Sequence, residues 1–273
     1  MKSAADFRLS VALVTRNRPA SLRRSLASLS AQSLQPWEVI VSDDSDSSHS
    51  SEVRAAASEF GARYIAGPRR GLYANRNAAA AVCAGTHIRT MDDDHTLPAN
   101  HLAQCYEAIE RDPAAIWTCG EEGYLDGRRH AFLANAIQLH PSGVGVVAEN
   151  ADDNWAIADG ATIYPREVFD RGHQLAEDFA FGSSYLEFGA LLYRRGWRGR
   201  CIPKAYVEHH YDGGTLNRQA EESVLYASLC YNLRFKPSPA RALRYLLPAL
   251  LRSPRLGHKL PAYLRLMRRR WDR

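Results

Sequence analysis

The chain has 273 residues, 45% of them hydrophobic and 24% charged, with a formal net charge of +5. That is enough apolar material for a full core, in one large domain or one domain with an appendage, and it excludes a disordered or collagen-like chain. No segment approaches the roughly 20 apolar residues of a membrane span, the first apolar run is too short for a secretory h-region, and the five cysteines lack a C-x-x-C pair, so the expectation is a cytoplasmic protein with free, mostly buried thiols.

In chain order, LSVALVT (9–15) is almost wholly apolar, as a parallel strand covered on both faces should be. The next stretch, PASLRRSLASLSAQ, has Pro19 at a helix start and Leu22, Leu26 and Leu29 on one face. Residues 37–44 read as a second strand, 51–61 as a helix closed by glycine, 62–67 as a third strand and 72–85 as a helix. Residues 87–91 then read as a fourth strand, 98–112 as a helix and 114–120 as a fifth strand. Strands alternating with helices predict βαβ units, and therefore a mainly parallel Rossmann-like sheet with helices on both faces. Ligands of such sheets bind at the carboxyl ends of the strands.

Two acidic clusters fall at that edge. Asp43 and Asp44 end the second strand, and IRTMDDDHTLP (88–98) puts Asp92, Asp93, Asp94 and then His95 behind the fourth. A single cluster of this kind reads as a solvated turn. Two along one crevice make a negative site that a divalent cation or a set of hydrogen-bond donors would relieve. Further on, 121–160 reads as irregular and pocket-shaping, and SSYLEFGALLYRRGW (183–197) as an amphipathic helix ending at Gly196. The segment at 201–214 reads as a strand delivering His209 and His210 into a glycine-containing turn. Beyond Asn217 the pattern is helical, broken by Pro237, Pro239, Pro248, Pro254 and Pro261.

In this order the motifs resemble the family 2 glycosyltransferases, which have the GT-A fold. VALVTRNRP resembles that family's opening signature, which points to Thr15, Arg16 and Asn17 as nucleotide-sugar contacts. EVIVSDDSDSS is similar to its strand-two acidic turn, where Asp44 would recognise the base. GLYANRNAAAAVCAG resembles the A-R-N segment, with Arg76 and Asn77 in donor-facing positions. MDDDH resembles the metal-binding D-x-D, carried by Asp92 and Asp94, with Asp93 beside the donor. LEFGALLYRRGW resembles the acceptor-side helix, and YVEHH the strand whose histidine completes the metal site. The likeness runs from about residue 8 to 215. It implies a catalytic domain at 1–215, nucleotide-binding to about 120 and acceptor-binding beyond, followed by a helical basic extension at 216–273. The implied activity is metal-dependent, inverting and hexosyltransferase-like. It would move a sugar from a UDP-, GDP- or dTDP-sugar to a hydroxyl acceptor such as a lipid-linked or cell-surface glycan or a natural product.

Mn²⁺ or Mg²⁺ would screen the charge of the leaving diphosphate; an imidazole among oxygen ligands tilts the choice toward Mn²⁺. A strand sends only one of His209 and His210 into the site, and the reading favours His209. The family's acidic pair at the start of the acceptor-side helix is replaced here by Ser184 and Tyr185. Glu187 therefore leads as general base, although it also reads as a helix-surface or acceptor-binding carboxylate. Asp178, in LAEDFAFG, and Asp159, in AIADGA, follow it. Two alternatives stay open, a nucleotide-sugar-binding protein without catalysis and a nucleotidyltransferase, although TRNRPAS lacks the glycine-rich loop usual in the latter.

From residue 234 onward there are twelve Lys or Arg and one acid, Asp272, so this tail carries +11 and the rest of the chain −6. Leucines interleaved with arginines favour docking of the tail on an anionic membrane surface at the inner face. Packing on the catalytic domain is the competing reading. Nucleic-acid binding is not expected of a chain whose remainder is acidic.

Overall fold

A computed structural model describes residues 7–133, 136–211 and 219–272. The chain opens with β1 (Leu9–Thr15), α1 (Pro19–Ser30), β2 (Glu38–Asp43), α2 (Ser47–Glu59), β3 (Arg63–Ala66) and α3 (Leu72–Val82). Then come β4 (His87–Asp92), β5 (His95–Thr96), α4 (His101–Arg111), β6 (Ile116–Leu125), β7 (Arg128–Leu133), β8 (Ile137–Leu139) and β9 (Gly145–Val147). The remainder comprises β10 (Thr162–Pro165), α5 (Glu167–Asp170), α6 (Ser184–Arg194), β11 (Gly199–Tyr211), α7 (Gln219–Cys230), α8 (Pro239–Arg252) and α9 (Arg255–Trp271).

β1 is buried along its whole length. Its side chains alternate: Val11 and Leu13 meet Leu22 and Leu26 of α1 and Val53 of α2, while Ala12 and Val14 meet Ala79 and Ala80 of α3. Covered faces explain the unbroken apolar run. Among the described residues the main sheet runs β3-β2-β1-β4-β10-β6-β11-β5, with β7 also paired to β6.

Two expectations change. The strand predicted at 114–120 continues to Leu125 and is not a neighbour of β4, because β10 lies between them, antiparallel to both. The sheet is therefore mixed, parallel across β3-β2-β1-β4 and between β6 and β11. The region predicted to be irregular, 121–160, holds β7 and the β8–β9 pair. Asp126 and Gly127 both have positive φ (50° and 73°) at the β6–β7 turn, the conformation for which Asp-Gly is favoured in tight hairpins. The arginine-rich strand that follows owes its form to the ladder with β6, which no local hydrophobic pattern reveals.

The tail is not detached. Leu186, Phe188 and Leu191 of α6 share one apolar cluster with Tyr226 and Cys230 of α7 and with Leu266, Met267 and Trp271 of α9. All five cysteines are buried and free of disulfides. Among the described residues no helix is long and apolar enough to cross a membrane. Gly213, Gly214, Asn217 and the boundary expected between 215 and 216 lie outside the described residues.

Candidate active site

The carboxyl ends of β1, β2 and β4 open on a hollow of about 580 Å³ lined by Thr15, Arg16, Arg18, Asp44, Asn75, Asp92, Asp94, Ala180 and Phe181. The two acidic clusters thus share one crevice. Asp44 sits just beyond β2, and its Oδ1 accepts from the Arg69 backbone N–H at 2.8 Å. Burial pushes its carboxyl up, and the backbone donors oppose that. A Cβ at Gly67 would collide with Asp44 and Asn75, so the chain can pass behind these two side chains only as glycine.

α3 presents Leu72 and Asn75 to the crevice, three residues apart on one helical face. Asn77, expected there, lies on another face. Its amide N donates to Leu175 O and Glu177 Oε1 (3.0 Å each), and its Oδ1 accepts from Leu175 N. Arg76 is 3% exposed. Its guanidinium donates to both oxygens of Asp92 at 2.6 Å and pairs with Asp159. Asn17, in the left-handed region at φ 58°, bonds Asp46 and Ser45 across the exit of β2 and is not among the lining residues.

The three consecutive aspartates divide. Asp92 and Asp94 line the crevice, whereas Asp93 is fully buried beneath it. Asp93 accepts from the Thr15 hydroxyl (2.6 Å) and Arg18 Nε (3.2 Å), so it braces the turn instead of meeting a ligand. Burial pushes its carboxyl up to about 7, with Arg18 opposing. Arg18 Nη1 also donates to Asp94 Oδ2 at 2.9 Å.

β5 pairs antiparallel with β11 so that His95 stands opposite His209. Cross-strand partners share a face, and the two rings meet edge to face with centroids 4.6 Å apart. Asp94 Oδ1 lies 3.9 Å from His95 Nε2 and 3.7 Å from His209 Nε2. His210 takes the other face, hydrogen-bonded to Thr96 at 2.8 Å and stacked on Tyr124. Of the two histidines, the structure brings His209 to the aspartate.

These residues fit a divalent cation. One carboxylate oxygen and two ring nitrogens lie within 4.8 Å of one another, and atoms that share an ion at about 2.0–2.2 Å are themselves about 3–4 Å apart. Asp94 Oδ1 and His95 Nε2 are buried without a hydrogen-bond partner, an arrangement that costs free energy unless something else meets them. Asp92, engaged by Arg76, stands outside this set. Behind it, His209 Nδ1 lies 3.1 Å from Glu121, which also accepts from the Tyr211 hydroxyl. A carboxylate there directs the opposite ring nitrogen toward a metal. Burial works against the His209 cation, but Asp94 and Glu121 outweigh it and lift the imidazole to about 10. Burial likewise disfavours the Asp94 anion, yet His209, His95 and Arg18 hold its carboxyl below the usual carboxylate range.

The three candidate bases occupy different surroundings. Glu187 is 0% exposed. Its carboxylate accepts from Arg270 at 2.9 and 3.2 Å and from the Trp271 indole at 2.7 Å. It faces the tail helix, not the crevice lining. Asp159 is locked to Arg76. The Asp178 side chain is 48% exposed, 3.6 Å from Arg269, and lines a hollow of about 560 Å³ on the far side of the segment that brings Ala180 and Phe181 to the crevice.

Sequence reasoning missed His95 as a partner of Asp94 and His209 in the candidate cation site, although it directly follows Asp94. It also missed Arg18, Asn75 and Glu121. For Glu121 no local signal existed, because only the β6–β11 pairing brings it to His209.

Comparison with known proteins agrees with this geometry. Residues 10–173 match the sequence profile of Glycosyl transferase family 2. No curated protein matches the chain. Similar solved structures include GalNAc-T7 with UDP, GalNAc and Mn²⁺ (TM-score 0.69, 15% identity, 84% of this chain and 49% of that one). They also include S. aureus TarS 1–349 in complex with UDP (0.64, 15%, 93% and 75%) and with UDP-GlcNAc (0.64, 16%, 93% and 75%). At these identities the likeness shows the fold, and the chain spans about half the length of the GalNAc-T7 chain.

Proposed function

The chain belongs to glycosyl transferase family 2, and on that premise we propose that it moves a sugar from a nucleoside-diphosphate sugar to a hydroxyl acceptor, with a divalent cation and inversion at the anomeric carbon. One observation carries the reading. Asp94, His95 and His209 converge at the edge of the crevice whose wall also includes Asp44, so a cation site and a base-recognition carboxylate share one hollow.

Within that hollow Asp44 accepts hydrogen bonds from the base or ribose, and Arg16 meets the diphosphate as a charge partner. Mn²⁺ or Mg²⁺ held by Asp94, His95 and His209 would screen the negative charge of the leaving diphosphate. Mixed nitrogen and oxygen ligands favour Mn²⁺. Arg76 fixes Asp92 and Asp159 at the same edge. The acceptor hydroxyl needs a carboxylate to take its proton, and Asp178 is the one of the three candidates that is half exposed and only loosely paired. UDP is the nucleotide of choice for testing, because the structural neighbours bind it.

The test is an incubation with UDP-, GDP- and dTDP-sugars and Mn²⁺, followed by melting temperature and nucleoside-diphosphate release. One donor is expected to raise the melting temperature by mass action and to yield free nucleoside diphosphate, faster when a hydroxyl acceptor is present. Binding without release would leave a donor-binding protein without transfer. No response to any donor would overturn the reading.

A further inference from the structure

α8 is apolar on two sides, and the fold uses only one of them. Ala242 is buried, and Leu246, Ala249 and Leu250 pack against the cluster that includes α6 and α7. The opposite side carries Leu243, Leu247 and Leu251, four residues apart and therefore in one line along the helix. They are 53%, 50% and 82% exposed. Arg244 and Arg252, each next in sequence to one of these leucines, are exposed and form no ion pair among the described residues. Arg255 and Lys259 of α9, by contrast, are paired with Glu221 and Glu222.

We infer that this outer face of α8 docks on an anionic lipid bilayer. The charge supports that occupant: α8 contains no acidic residue, and residues from 234 onward carry +11. A helix with leucines in a line and arginines beside them inserts its apolar side to the depth of the headgroups while the guanidiniums meet lipid phosphates. The face is ordered before it binds. Pro239 occupies the first turn, Ser238 Oγ accepts from Arg241 N at 3.4 Å, and Arg241 anchors the inner side through Asn232 Oδ1 at 2.5 Å. Pro248 lies on the exposed side, so the helical hydrogen bond it removes leaves a carbonyl near water or headgroups. A hollow of about 610 Å³ beside the stripe, lined by Val144, Tyr245 and Pro248 with Arg244 and Arg252, also holds Glu221, whose charge Arg255 pairs. α9 is excluded as the docking element, because Leu266, Met267 and Trp271 are already buried in the core.

Vesicle binding requires no sugar donor, so this inference stands or falls separately from the transfer reaction. The full chain is sedimented with phosphatidylcholine vesicles and with vesicles that also contain phosphatidylglycerol. Binding to the anionic vesicles, weakened by added salt, is the expected result. Replacing Leu243, Leu247 and Leu251 together by Ser should lower that binding about tenfold or more, with melting temperature and UDP affinity retained. Arg244→Glu with Arg252→Glu should lower it about tenfold. Indifference of the parent protein to anionic vesicles would overturn the inference, as would undiminished binding by the leucine variant. Light scattering covers the remaining occupant: a dimer that the leucine variant converts to monomer would assign the face to a second copy and also overturn it.

Discussion

Asp178→Asn is expected to lower kcat by about 10²–10⁴-fold while leaving UDP affinity and melting temperature close to those of the parent. The expectation rests on what holds each carboxylate. Asp178 is about half exposed and pairs at 3.6 Å with Arg269, which is itself largely exposed, so its loss leaves no buried charge unpaired. Ala180 and Phe181, two and three residues further along the same segment, line the crevice, while Asp178 itself opens on the neighbouring hollow. Asp159→Asn should behave differently. It removes a counter-charge from Arg76, which is 3% exposed and also holds Asp92, so the loss should fall first on donor binding. Measuring kcat beside a calorimetric dissociation constant for both variants separates the two. Turnover within a few-fold of the parent for Asp178→Asn, with Asp159→Asn inactive, would move the base to Asp159.

Glu187→Gln is expected to reduce unfolding free energy by about 3–5 kcal/mol, because it strips the anion from a buried pair and leaves Arg270 without its counter-charge. The fully buried carboxylate receives two bonds from Arg270, one from Trp271 and a longer one from the Tyr226 hydroxyl. The bonds from Arg270 and Trp271 fasten the end of α9 to α6, so the change should loosen the tail helix while folded molecules keep kcat within a few-fold. Denaturant unfolding gives the first quantity and active-site-normalised turnover the second. Replacing Arg270 by Met in the same chain should recover part of the loss, since no charge is then left unpaired. A stable Glu187→Gln enzyme without turnover would instead make Glu187 the base.

The contrast between these two residues shows where sequence reading succeeds. β1 was legible because it is a short apolar run covered on both faces, and β2 to β4 because they alternate with helical stretches, which local pattern is enough to reveal. Parallel order then puts Asp44, Asp92 and Asp94 at one edge without further information. β10 was not legible as a strand between β4 and β6, since its place depends on pairings across more than 40 residues. The same limit hid the partner of Glu187, which lies 83 residues further along the chain. Helix phase explains the exchange of Asn77 for Asn75. Strand alternation left one choice open between His209 and His210, and β5 resolves it by placing His95 opposite His209. The tail's composition announced a basic amphipathic region, but only packing distinguishes α9, built into the core, from α8, which keeps a leucine face outside.

The central claim is that Asp94, His95 and His209 hold a cation through which the crevice binds a nucleoside diphosphate. Calorimetric titration of UDP into the protein, once with Mn²⁺ and once with EDTA, tests it most directly. The parent should bind UDP at least about tenfold more tightly with Mn²⁺, and Asp94→Asn should erase the difference while remaining folded. Equal affinity in Mn²⁺ and EDTA for the parent protein would contradict the claim.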